Sequence, residues 1–264
     1  MKKIIITIAS ILLPLSAHAG FTLNQTGVNS DGVANSSSIS CTFASNPARG
    51  DLVVVGYIWW NGSVGTEIVN SILDGSGNAY TMANATSSAF DSTAGVTYLS
   101  YLLNAPSNAN NTITVTFAGA NGAGNYNTIF CDDFSVTGGT AALDSVAIGS
   151  NASTASITTP SIGGSYPNEL VYGVVAPGQG VASLTGSWSY GGGGKDVQYS
   201  NAAEYQLAVS ASTPLGMTAN GVGPYDSSAI SFRVVPVSIG SSPINLFLGK
   251  IFKIMKGSVF MINH

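Results

Sequence analysis

The chain has 264 residues, a formal net charge of −4, and only 8% charged residues, against about 25% in an average soluble domain. Up to Arg233 the body carries all twelve acidic residues but only Arg49, Lys195 and Arg233 as cations, a balance of −9 (3 minus 12). So few cations exclude a nucleic-acid partner, because phosphate neutralisation supplies most of that affinity.

Residues 1–19 read as a signal peptide. Lys2 and Lys3 form a positive start, Ile4 to Leu15 an apolar run, and Ala17-His18-Ala19 a small-residue cleavage site. The run is shorter than the ~20 residues a membrane span needs, so the expected location is secreted or cell-surface. In an oxidising compartment Cys41 and Cys131 are expected to form a disulfide.

From residue 20 onward the pattern is all-β. Leu52–Trp60, Val96–Leu103, Thr112–Phe117 and Thr128–Val136 are rich in β-branched and aromatic residues and are separated by Gly, Asn, Ser and Pro clusters. Ser38-Ile39 and Gly50-Asp51-Leu52-Val53 recur 118 residues later as Ser156-Ile157 and Asn168-Glu169-Leu170-Val171. Leu23-Asn24-Gln25 is echoed by Leu143-Asp144-Ser145, and Phe134-Ser135-Val136 by Phe232-Arg233-Val234. The expected fold is an antiparallel, jelly-roll-like β-sandwich of two related halves, 20–138 and 139–239, with separate cores or one shared core.

The runs Gly50 to Val55 and Asp74-Gly75-Ser76-Gly77-Asn78-Ala79-Tyr80-Thr81, with Asn168 to Val171 and the late Ile230-Ser231-Phe232, resemble a pattern common in secreted bacterial β-sandwich surface proteins. The resemblance implies fold and exposure, and carries no activity and no catalytic residue.

Residues 240–264 form a linker and an apolar tail broken by Lys250, Lys253 and Lys256. At helical spacing the lysines fall within about 120° of one another, so the tail reads either as an amphipathic helix touching an anionic membrane surface or as a disordered end.

The histidines are His18, inside the signal, and His264, the last residue. The body can therefore build no Ser-His-Asp or Cys-His system. Paired carboxylates remain for acid–base work, and Asp132-Asp133 is the obvious pair, yet strand neighbours point to opposite faces. Asp132 shares a face with Phe130, Phe134 and Val136, so it must be hydrogen-bonded, metal-bound or turned outward by a bulge. Asp74, Ser76 and Asn78 place oxygens at alternate positions, faintly like the start of a calcium loop, although the segment reads first as a hairpin; no other cofactor is expected. Gly191 to Gly194 lacks the spacing of a phosphate loop and reads as a flexible turn.

Aromatics supply the binding candidates. Alternation puts Val53, Val55, Tyr57 and Trp59 on one face of a strand and Leu52, Val54, Ile58 and Trp60 on the other. Such a strand is either buried twice or exposes one aromatic row able to stack sugar rings. Trp188 and Tyr190, before the glycine run, form a second candidate cluster. The expected function is non-enzymatic surface recognition or adhesion through polysaccharide. The rivals are self-association into a matrix or fibre and a carboxylate-only carbohydrate-active enzyme.

Overall fold

The computed structural model describes residues 19–31, 37–60, 69–85, 96–117, 126–196 and 200–237. The signal segment before Ala19, the tail with Lys250, Lys253 and Lys256, and the side chain of Trp60 lie outside the described residues.

In chain order the strands are β1 (Gly20–Asp31), β2 (Ser38–Thr42), β3 (Leu52–Trp60), β4 (Val69–Asp74), β5 (Thr81–Ala85), β6 (Val96–Leu102), β7 (Thr112–Phe117) and β8 (Tyr126–Thr137). They continue as β9 (Gly139–Ile157), β10 (Glu169–Pro177), β11 (Val181–Leu184), β12 (Ser189–Tyr190), β13 (Ala202–Val209) and β14 (Met217–Pro236). All pairing is antiparallel. Among the described residues no helix is long and apolar enough to cross a membrane.

The first eight strands form one sheet in the order β1-β8-β3-β6-β5 and a second in the order β2-β7-β4. This is the wrap of a jelly roll, with first and last strands side by side. The last six strands repeat it. β9 pairs β14, β14 pairs β10, β10 pairs β13 and β13 pairs β12, while β11 lies on the start of β14. The second half makes with two long strands, β9 and β14, what the first half makes with β1 plus β2 and β7 plus β8.

The repeat holds at the level of single residues. Leu52 lies opposite Phe134, and Leu170 opposite Phe232. The first strand of each half slips register after the same leucine, Leu23 and Leu143. The acid of the Gly50-Asp51 and Asn168-Glu169 motifs has a structural use. Gly50 and Asn168 take positive φ (95° and 62°), and the acid then accepts the N–H three residues back, Ala48 to Asp51 at 2.9 Å and Tyr166 to Glu169 at 2.7 Å. Each motif is thus a turn cap that launches a core strand.

Three apolar clusters follow. Val53, Val55, Tyr57 and Trp59 of β3 face the β2-β7-β4 sheet. Leu52, Val54 and Ile58 face the other half of the chain, where they meet Leu170, Tyr172, Val174 and Phe232. A third cluster, with Val171, Val175 and Met217, lies on the far side of β10. Equivalent sheets are therefore packed back to back, as in an isologous dimer made within one chain. The aromatic contacts are reciprocal: Tyr101 meets Phe232 at 5.4 Å and 80°, and its counterpart Tyr205 meets Phe134, the counterpart of Phe232, at 5.5 Å and 73°. Edge-to-face pairs of this kind add about 0.5–1.5 kcal/mol beyond the area they bury.

Cys41 of β2 and Cys131 of β8 form a disulfide with Cα atoms 6.5 Å apart. It staples the two sheets of the first half, whose β1 and β8 are neighbours in the same wrap.

Candidate functional site

The row Tyr57 and Trp59 does not face solvent. Both are buried, at 0% and 2% exposure, because the β2-β7-β4 sheet covers that face. Tyr57 packs on Phe117 at 5.4 Å and its hydroxyl donates to Asn127 Oδ1. Trp59 Nε1 is enclosed without an acceptor. Neither ring can stack a ligand.

The Asp74 loop is a hairpin clasp, the structural role the sequence suggested first. Its carboxylate accepts from the N–H groups of Ser76 (2.9 Å), Asn78 (3.0 Å) and Asn110 (2.9 Å) and from Asn78 Nδ2 (2.8 Å). Burial acts the other way, yet these donors hold the carboxyl below its ordinary value. Oxygens already facing four N–H donors form an anion cap, the reverse of a cation shell.

The two neighbouring acids of β8 diverge as strand geometry requires. Asp132 enters the shared core and is fully buried. It is not bulged outward, since β8 keeps its register with β3 throughout. Instead the other half satisfies it: Tyr172 Oη donates to Oδ2 at 2.7 Å and Gly192 N to the same oxygen at 2.8 Å. Gly191 to Gly194 therefore does not behave as a free turn. Gly191–Gly193 is a 3-10 turn with Gly191 and Gly192 buried, seated so closely that a Cβ on Gly192 would lie 2.6 Å from Phe130 Cδ1.

Asp133 turns to the opposite side, where it is 1% exposed near Asp51 at 5%. Gln25 Nε2 donates to Asp133 Oδ2 at 2.9 Å, and Asn24 Nδ2 to Asp51 Oδ2 at 3.2 Å. Burial first, then the adjacent Asp51, push Asp133 up to about 6. The sequence does not reveal that Asp51 lies beside Asp133 as a further carboxyl neighbour. Enclosure keeps this pair from an external substrate.

A different cluster lies on the outer side of the second half. β12 places Tyr190 opposite Glu204 of β13, and Trp188 immediately precedes β12. Trp188 and Tyr190 are half-buried and rest on the third apolar cluster. Glu204 is 0% exposed. Its Oε1 accepts from Gly216 N at 2.8 Å, while Oε2 has no partner. Gly216 O in turn accepts from Thr185 N at 2.6 Å, and a Cβ on Gly216 would lie 3.2 Å from Trp188 Cδ1. Trp188, Tyr190, Gly216 and Glu204 thus form one connected patch.

Burial, only partly offset by the Gly216 N–H, pushes Glu204 up to about 8, so near neutral pH it is mostly the uncharged acid. Sequence reasoning found the two aromatics and missed the glutamate. The available signal was its place in Ala202-Ala203-Glu204-Tyr205, where alternation puts it on the face of Ala202.

Searches of protein-family models, of curated proteins and of solved structures each found no match to this chain.

Proposed function

We propose that the chain is an exported, non-enzymatic recognition module that holds polysaccharide on the Trp188–Tyr190 patch. The observation carrying this reading is the pair of half-buried aromatic rings fixed at the edge of a rigid sheet. Aromatic residues held half-buried in this way suit stacking against the apolar faces of sugars. A body balance of −9 disfavours acidic polysaccharides, so uncharged ones are the ligand class. The absence of histidine between residues 19 and 263 supports binding over catalysis.

The test is retention of the mature protein on a panel of immobilised neutral polysaccharides, with Trp188→Ala as the variant. Retention should fall about tenfold or more, since losing a ring that stacks on a ligand removes on the order of 1–3 kcal/mol, while the melting temperature stays near wild type. Unchanged retention, or retention on no member of the panel, sinks the reading. Sedimentation of the same samples separates it from self-association, for which Val146 and Ile148, exposed on β9, are the available apolar surface.

A further inference from the structure

We infer that Glu204 is a positioning residue for the aromatic patch: it holds Trp188 through the Gly216 turn, and its ionisation releases the hold. The inference rests on the patch being the binding surface, and adds a control to it.

The connection is a short chain of contacts. Glu204 Oε1 takes the N–H of Gly216, and the carbonyl of Gly216 takes the N–H of Thr185. Gly216 thereby ties β13 to the segment that carries Trp188, whose Cδ1 lies against it. A side chain at 216 would strike Thr185 Oγ1 at 2.5 Å, so the approach depends on glycine. Glu204 itself is too deeply buried to touch a ligand, and its influence must pass through this turn.

Among the described residues, the groups on the elements around Glu204 leave its charge uncompensated. Across β12 the titratable neighbour is Tyr190, and across β10 the register partner is Gly173. The Thr185–Trp188 segment and the start of β14, Met217 and Thr218, bring no charge. Lys195, the nearest cation in the sequence, donates to the carbonyls of Val181 (2.9 Å) and Ala182 (3.2 Å). An ionised carboxylate with one oxygen unpartnered in an apolar pocket is costly unless water reaches it. Above the ionisation range, hydration of Oε2 draws the carboxyl out of its pocket and frees Gly216, and with it Trp188. The patch is therefore formed on the acid side and loosened on the alkaline side.

The experiment compares wild type, Glu204→Gln and Trp188→Phe between about pH 6 and about pH 9. Glutamine keeps an oxygen for Gly216 N and cannot ionise. In wild type, tryptophan fluorescence should change with a midpoint near 8, and retention on neutral polysaccharide should fall about tenfold by about pH 9, where about a tenth of the neutral form remains. In E204Q both should stay flat at the acid-side level, and in W188F the fluorescence step should vanish. A step in E204Q like that of wild type overturns the inference, as does a flat wild-type signal. The fluorescence arm needs no glycan, so a protein retained by no polysaccharide yet showing the step would lose the proposed function and keep the positioning role.

Discussion

Asp132→Asn is the substitution that asks most of the shared core. Asp132 sits between the halves with no exposure and accepts from Tyr172 and Gly192, both in the second half. Burial outweighs those donors and, helped by the neighbouring Asp133, pushes the carboxyl from 3.8 to about 7. The folded protein therefore holds a proton that the unfolded chain releases. Stability from this group is fully present below about pH 3.8 and is lost as pH rises through about 7. That interval of roughly three pH units, at ~1.4 kcal/mol each, amounts to about 4 kcal/mol, a large part of a typical 5–15 kcal/mol. Asparagine offers one accepting oxygen to two donors and so loses a constant amount of about 1–3 kcal/mol. The readout is consequently the change with pH and not the offset. Denaturant midpoints measured at about pH 4.5, 6 and 7.5 should show D132N gaining on wild type by about 3 kcal/mol across the series, with the same m-value. Parallel curves would show that Asp132 carries no raised ionisation and refute the argument.

Reducing the Cys41–Cys131 bridge, whose partners are 90 residues apart, should lower stability by roughly 4–5 kcal/mol on chain-entropy grounds; thiol titration of the denatured, unreduced protein should find no reactive thiol. Gly192→Ala meets both a φ of 63° and Phe130, so thermal unfolding should show a loss of about 2–4 kcal/mol. Gly77→Ala is the control, with φ 84° but open space, and should lose only about 1 kcal/mol. Trp59→Ala should cost about 3–5 kcal/mol in denaturant unfolding, and a wild-type melting curve would contradict its place in the core.

Alternation alone sorted β3 into its two faces, and the structure buries Val53, Val55, Tyr57 and Trp59 in one cluster and Leu52, Val54 and Ile58 in another. Which aromatic row meets solvent was not readable, because the covering β2-β7-β4 sheet is a non-local partner and period-2 patterning reports only that a face is apolar. The same limit applies to Asp132. Its parity with Phe130 and Phe134 demanded a partner, but Tyr172 and Gly192 lie 40 and 60 residues away. The glycine run misled for the opposite reason. Missing side chains look like freedom in a sequence, whereas here they are what lets the backbone reach Asp132 and Phe130.

The internal duplication adds a comparison that one copy could not supply. Tyr101 and Tyr205, Phe134 and Phe232, and Leu52 and Leu170 are the same residue at the same register in each half, so the wrap and the back-to-back seam tolerate little change there. Thr81 and Ser189 lie opposite those two tyrosines, which aligns the preceding Tyr80 with Trp188. By the same register Ser100, opposite Met82, aligns with Glu204, opposite Tyr190. Tyr80 is buried at 8%, its hydroxyl enclosed without a partner, and Ser100 is buried at 1%. In the second half the aromatic residue is larger and half-buried, and a serine hydroxyl has become a carboxyl with an unpartnered oxygen. Neither change is what fold stability calls for, since a buried unpaired acid destabilises. Both fall on one patch, linked through Gly216. Enclosed polar atoms without partners also occur in the first half, at Trp59, Tyr80 and Asp133, but the one at Glu204 is linked to a half-buried tryptophan, and that coincidence, more than the aromatics taken alone, directs attention to Trp188.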